Sequence, residues 1–352
     1  MDSQIFLILL QDGVTNGTIY ALLAMAIVLL FSVTRIIFIP QGAFAAYAAL
    51  TVGLQQRGQV PGTAWLLLVL AIAVVLVDGL AGWRAQRHAP AGVLRWPALA
   101  RQAVGKLAWP LCLVALSVGL SFIAAPLLVQ ALLALALVTS LGPLIYRLAF
   151  ESLADASILV LLIVSVAVHY VLTGLALLFF GAEGYRNPVF WEADIALGPL
   201  NVTGQTLLIY GCTFALIALL WLFFERTLQG KALQAAAVNR LGARLMGIST
   251  RAAGKLAFTL AAFIGALAGL LLGPTTTMFY DSGFLIGLKG FIAAVFAALS
   301  SFPLALVGAL GVGVLESFSS FWASAFKEVL VFAAILPVLL WRSLRHPPAL
   351  ES

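Results

Sequence analysis

The sequence predicts an all-α fold, a polytopic transmembrane helical bundle, on three observations. Hydrophobic residues fill 63% of the 352 positions and charged residues only 9%, with a mean hydropathy of +1.12, far outside the range of soluble globular domains. Apolar runs close to the length that crosses a hydrocarbon core of roughly 30 Å recur from one end of the chain to the other, so residues 1–352 read as a single transmembrane domain. Those runs lack the period-two alternation of an outer-membrane barrel, which leaves helices as the spanning element.

Taken in order, the first run covers residues 5–31 and carries Asp12, Thr15, Asn16 and Thr18, with Arg35 just beyond it. Polar groups clustered in a span face protein or water, not lipid. Gln41 and Gly42 open a short, weakly apolar piece ending near Gly53, which suits a broken or a tilted helix, and the Gly- and Pro-containing stretch 54–63 is a loop. The run 64–83 ends in Arg84, Arg87, Arg95, Arg101 and Lys106, a basic loop that belongs in the cytoplasm. Two runs hinged at Pro126, 107–124 and 127–146, lead to a short cytoplasmic connection with Arg147, Glu151 and Asp155. After the run 158–180 comes the largest outer loop, 181–205, in which Glu183, Glu192 and Asp194 outnumber Arg186 and Tyr185, Phe190 and Trp191 suit an interface.

The run 206–224 delivers the longest polar, helix-prone piece between two spans, residues 225–255. It holds Arg226, Lys231, Arg240, Arg244, Arg251 and Lys255 against Glu225 alone, so it too belongs in the cytoplasm. Leu, Ala and Gln from Thr227 to Val238 favour a short helix that Asn239 can end in a left-handed conformation. A second turn, Arg240 to Met246, meets Gly247, and Ser249 or Thr250 can cap the next helix. Runs at 256–273, 284–299, 304–318 and 329–341 complete the chain, with an outer loop at Pro274 to Thr277 and a turn from Ser300 to Pro303. Even numbers of crossings separate the basic segments, which places the N-terminus outside and the C-terminus inside with about nine spans. Gly265, Gly269 and Gly273, spaced by four, permit close helix approach.

A net charge of +6 concentrated in loops is a topology signal and not a nucleic-acid footprint. Cys112 and Cys212 lie in apolar runs as small hydrophobes, and His88, His169 and His346 are too scattered for a metal set. No Lys or Arg precedes Ile5, so a cleavable signal peptide is not expected. Lys289 and Glu316 are the ionisable residues placed most clearly inside apolar runs. They fall at similar depths on either side of the Ser300 turn, which makes them a candidate intramembrane ion pair. Lys327 and Glu328 read as interfacial, Asp78 as snorkelling or helix-packing and His169 as a hydrogen-bonded core residue. Each Gly-Lys dipeptide is followed by Leu or Ala, so no Walker A sequence occurs and ATP, if used, binds elsewhere. No nucleophile-and-base spacing supports an enzyme.

Several of these stretches resemble the branched-chain amino-acid ABC transporter permease family, the LivH-like inner-membrane subunits. The motif Ala243-Arg244-Leu245-Met246-Gly247-Ile248, with Asn239 before it and Arg251 after, is similar to that family's coupling loop. Residues 12–22, Tyr146-Arg147 with Glu151-Ser152, residues 287–291, 300–304 and 315–317 resemble its other patterns. The resemblance implies an ABC importer permease fold in the bacterial inner membrane, translocating branched-chain or related amino acids. It implies a second permease subunit, two ATPase subunits that bind the ATP, and a periplasmic solute-binding protein, with no cofactor on this chain. Asn239, Ala243, Arg244, Met246, Gly247 and Arg251 would then couple to the ATPase, and Asn16, Thr18, Gln41 and Thr275 are candidates to line the substrate path. Two departures stand out: Phe38-Ile39-Pro40-Gln41-Gly42 replaces an Asn-Phe-Ala-His-Gly pattern, and residues 83–125 read as an insertion that adds a basic loop and an apolar segment. A stand-alone, ion-coupled carrier of small polar solutes is the rival reading, disfavoured by the scarcity of mid-membrane carboxylates.

Overall fold

The computed structural model describes residues 3–87, 96–123, 125–197, 200–299 and 301–345. His88, Arg95, Ala124, Ser300 and His346 lie outside the described residues, and with them part of the expected insertion. The helices run α1 Ser3–Thr34, α2 Gln41–Gln56, α3 Gly62–Arg87, α4 Trp96–Ser121, α5 Leu127–Ile145, α6 Ile158–Phe180, α7 Gly204–Arg226, α8 Leu228–Val238, α9 Arg240–Leu245, α10 Thr250–Leu272, α11 Ser282–Phe296, α12 Phe302–Trp322, α13 Lys327–Ala333 and α14 Ile335–Arg345. A two-stranded antiparallel hairpin, β1 Asp194–Leu197 and β2 Leu200–Thr203, pairs Asp194 with Thr203. Among the described residues, eight helices are long and apolar enough to cross a membrane, and the protein is a multi-pass membrane protein.

Helix α1 forms the centre, packed against α12, α10 and α11 and buried from Ile19 to Leu30. The contact with α12 is made by glycines: a Cβ on Gly17 would stand 2.8 Å from Leu310 Cα, and one on Gly13 would stand 2.6 Å from Val314 Cα. Helices α3, α6 and α7 instead expose Leu76, Leu178 and Phe214, the outward face a bundle presents to lipid.

The piece opened by Gln41 is a single unbroken helix. It is a 16-residue helix, at 1.5 Å per residue about 24 Å long, and all but its last residue is buried. Its N-terminus lies beside Ala261, midway along α10, and a Cβ on Gly265, Gly269 or Gly273 would run into Gln41, Ala45 or Asn187 respectively. The four-residue glycine spacing on α10 is thus the groove that receives α2.

Before α2, Arg35 to Ile39 form no helix. The aromatic at position 38 has a structural role there. Phe38 is almost fully buried, with ring centroids 5.6 Å from Phe44, 6.0 Å from Phe150 and 5.0 Å from Phe258.

The final predicted run also differs. It breaks at Ala334 into α13 and α14, because Pro337 has no N–H to return to the turn before it and its ring crowds the carbonyl four residues back. Replacing Phe38 by Ala should empty the middle of the aromatic cluster and cost about 3–5 kcal/mol of stability. The check is the thermal midpoint of the detergent-solubilised chain, set against Phe38→Leu, which should fall much less.

Candidate functional site

At the end of the bundle away from α8 and α9, a cavity of about 820 Å³ opens between α1, β2, the α10–α11 link, α11, α12 and α13. Asp12, Asn16 and Tyr20 recur every four residues on α1 and so face it together. Thr275 to Thr277 form another wall, and Lys289, Glu316 and Glu328 lie in its lining. Three carboxylates and two ammonium groups line one cavity, counting Asp12, Glu316 and Glu328 against Lys289 and Lys327. Ionisable groups are costly within a bundle that spans a bilayer and are tolerated when paired or facing a water-filled space.

Here most are paired. Lys289 Nζ stands 2.6 Å from Glu316 Oε1 and 3.1 Å from Glu328 Oε1, and Tyr20 donates its hydroxyl to Glu316 Oε2 at 2.5 Å. Lys289 and Glu316 are both buried. Glu328 is therefore not a simple interfacial residue. The 3-10 turn Ser324–Phe326 sets α13 directly after α12 and turns its first carboxylate back onto Lys289. Its place just beyond the α12 span was the available sequence signal.

Of the path candidates, Asn16 and Thr275 line this cavity and two do not. Thr18 points away from the Asn16 face and donates its hydroxyl to Thr15 O at 2.7 Å. Gln41 is fully buried in the α2–α10 groove, where its Nε2 donates to Ala261 O at 2.8 Å. His169 is buried as a core residue, but its Nδ1 has no partner among the described residues, and its ring lies 4.9 Å from Phe284.

The opposite, basic end is built by capping. Thr227 Oγ1 accepts from Gly230 N–H at 2.9 Å to start α8, Asn239 Oδ1 accepts from Gly242 N–H at 2.9 Å to start α9, and Ser249 caps α10. Asn239 is extended at φ −147°, not left-handed, because it ends one helix and caps the next at once, and a cap needs extended backbone. Gly247 does take the left-handed conformation, at φ 80°.

Two short helices in this register present Leu228, Val238, Leu241, Leu245 and Met246 to solvent, each more than two-thirds exposed. Ala243, by contrast, is 4% exposed and packs inward, so it does not itself present a contact surface. Arg244 binds Asp155 at 2.9 Å and Thr250 Oγ1 at 3.1 Å, and Arg240 donates to Ala154 O at 3.1 Å. Buried Glu151 collects Arg147 at 3.0 Å, Lys255 at 3.4 Å and Arg251 at 4.0 Å. A second cavity of about 620 Å³ lies between Glu151 and Arg251, with Arg244 and Gly247 in its lining.

Residues 91–339 match the family model described as branched-chain amino acid transport system / permease component. The chain belongs to that permease family. The permease is 29% identical over 218 residues to the high-affinity branched-chain amino acid transport system permease protein LivH of Escherichia coli K12, covering 59% of this chain and 70% of that protein. It is 30% identical over 218 residues to LivH of Salmonella typhimurium, again 59% and 70%. It is 29% identical over 226 residues to BraD of Pseudomonas aeruginosa, 62% and 74%. A solved structure, PsaBC from Streptococcus pneumoniae in complex with Fab, aligns over 96% of this permease and 92% of that chain with a TM-score of 0.43 and 12% identity.

Removing Lys289 alone should leave two carboxylates facing each other in the bundle. The Lys289→Met permease is expected to lose about 3–5 kcal/mol, whereas Lys289→Met combined with Glu316→Leu and Glu328→Leu should recover most of it. Thermal midpoints of the purified variants read the difference.

Proposed function

We propose that the chain is the membrane-spanning permease subunit of an ATP-driven ABC importer in the bacterial inner membrane, moving branched-chain or related amino acids. Membership of the permease family supports this, and so do the transport roles that LivH and BraD are named for. The observation that carries the mechanism is the division of the bundle: a charge-lined cavity at one end and, at the other, exposed apolar side chains on short helices among cations. The excess of positive charge at residues 225–255 assigns that end to the cytoplasm.

In this reading the cavity at the outer end accepts a zwitterion released by a periplasmic binding protein. Glu328 and Asp12 suit its ammonium group, Lys289 its carboxylate, and Met278, Leu285 and Phe321 an apolar side chain. A second permease subunit completes the path. Two ATPase subunits bind ATP, for which this chain has no phosphate loop, and dock against Leu241, Leu245 and Met246, with Asn239 and Gly247 fixing the register of the helices and Arg244 and Arg251 lining the adjoining cavity.

One observation favours the rival, ion-coupled carrier: Asp12, Glu316 and Glu328 converge on one cavity, more carboxylates than the sequence alone brought together. Reconstituting the permease with its co-purified subunits separates the two. Leucine uptake should require ATP on the cytoplasmic side and persist with a protonophore; uptake that ignores ATP and collapses with the proton gradient overturns the importer reading. Leu245→Asp with Met246→Asp should lower ATP-driven uptake at least tenfold and release the ATPase subunits on purification, with the permease's thermal midpoint unchanged.

A further inference from the structure

A third cavity, of about 520 Å³, lies between α4, α5 and α10, separate from both sites above. Its walls are almost wholly apolar: Pro110, Leu132, Ala136, Leu144 and Phe263, with Trp109 at one side. Trp109 is exposed and donates its indole N–H to Ser140 Oγ at 3.0 Å, so its ring is held beside the groove in place of swinging free. Thr139 Oγ1, also in the lining, is buried and has no partner among the described residues.

Lys106 stands in the lining too, on the part of α4 nearer the basic end. Its Nζ is 2.6 Å from Asp78, but the same carboxylate also binds Arg147, and Lys106 remains 46% exposed. Arg147 is shared in turn with Glu151, which also meets Arg251 and Lys255. Among the described residues Lys106, Arg147, Arg251 and Lys255 pair with Asp78 and Glu151, so the ion-pair cluster that holds Lys106 carries surplus positive charge. An ammonium group with free donors at the head of a narrow apolar slot, flanked by an indole, complements a phosphate joined to an acyl chain.

We propose that this groove binds one anionic phospholipid of the leaflet at the basic end, its acyl chain along Pro110, Ala136 and Phe263 and its phosphate on Lys106. The lipid ties α4 to α5 and α10 at the level where Asp78, Lys106 and Arg147 join α3, α4 and the residues after α5.

The test is native mass spectrometry of the full chain purified with its accompanying subunits, in detergent holding equal phosphatidylglycerol and phosphatidylethanolamine. The natural chain should retain one phosphatidylglycerol in about fivefold preference, the effect of one basic group at a membrane surface. Lys106→Gln should bring the ratio near one, Lys106→Arg should keep it, and Ala136→Trp, which fills the slot, should remove the retained lipid of either kind. Asp78 keeps Arg147 in Lys106→Gln, so folding is expected to hold, and the thermal midpoint checks it. A ratio unchanged by Lys106→Gln, retention unchanged by Ala136→Trp, or capture of a subunit and not a lipid by a photoreactive residue at position 132 would each overturn the proposal.

Discussion

The constraint on which the structure depends is a stretch of backbone that leaves the helix within the bundle, beside the middle of α10. Between Thr34 and Gln41 the chain runs non-helical, and every N–H and C=O there needs a partner that lipid cannot give. Partners for three of the N–H groups come from side chains and from the segment itself. Ile36 N–H reaches Thr34 Oγ1 at 3.3 Å, Ile39 N–H reaches Ser165 Oγ on α6 at 2.8 Å, and Gln41 N–H reaches Phe38 O at 3.3 Å. Such a segment has to be enclosed by protein, which is why α2 is buried on every side and why α10 and α11 approach it with glycine. The glycines at 42, 283 and 287 let the backbones of α2 and α11 touch where any side chain would hold them apart.

The same accounting governs charge. A lone Lys289 or Glu316 in this bundle is untenable, and the arrangement that removes the penalty draws α1, α11, α12 and α13 together through Tyr20, Lys289, Glu316 and Glu328. At the basic end Asp78 is shared between Lys106 and Arg147, and Glu151 among three cations, so pairing is incomplete and the surplus is positive. One end of the bundle has carboxylates in excess around a cavity and the other has cations in excess around exposed short helices. That polarity, more than any single residue, distinguishes the two ends chemically.

Much of this was legible in the sequence, for identifiable reasons. Composition and run length give a helical membrane bundle because hydrocarbon admits little else, and the spacing of Gly265, Gly269 and Gly273 marks a stripe on one helix face. The depth of α2 was not legible: a helix buried on every side has no amphipathic period, and its Ala- and Gly-rich composition says nothing about where in the bilayer it starts. The burial of Ala243 was not legible because α9 is six residues long, too short for a periodic pattern to say which side faces in. Glu328 joined Lys289 through a turn that only tertiary structure reveals. Pro337, in contrast, was a readable break within the last run, and its effect on α13 and α14 is a consequence of its chemistry alone.

The glycine contacts also sort the helices into pairs, which bears on how the two ends of the permease communicate under the proposed reading. Helix α10 runs without a break from the Ser249 cap, beside Lys255 and Glu151, to Leu272, and its continuation, Thr275 to Thr277, is a wall of the charged cavity. Along the way its glycines grip α2. Helices α1 and α12 form the second close pair, through Gly13, Gly17 and Gly313, and carry Tyr20 and Glu316. Helix α11 lies between the pairs, touching α2 at Gly283 and Gly287 and α1 at Gly290 against Leu23, and it holds Lys289. Under the proposed reading, a displacement applied where α10 begins would pass through these close contacts to α11, whose buried Lys289 is bound to α12 and α13. Any shift of one pair against the other must stretch or exchange the contacts of Lys289 with Glu316 and Glu328, so the buried charge cluster sits where the two halves of the cavity are held in register.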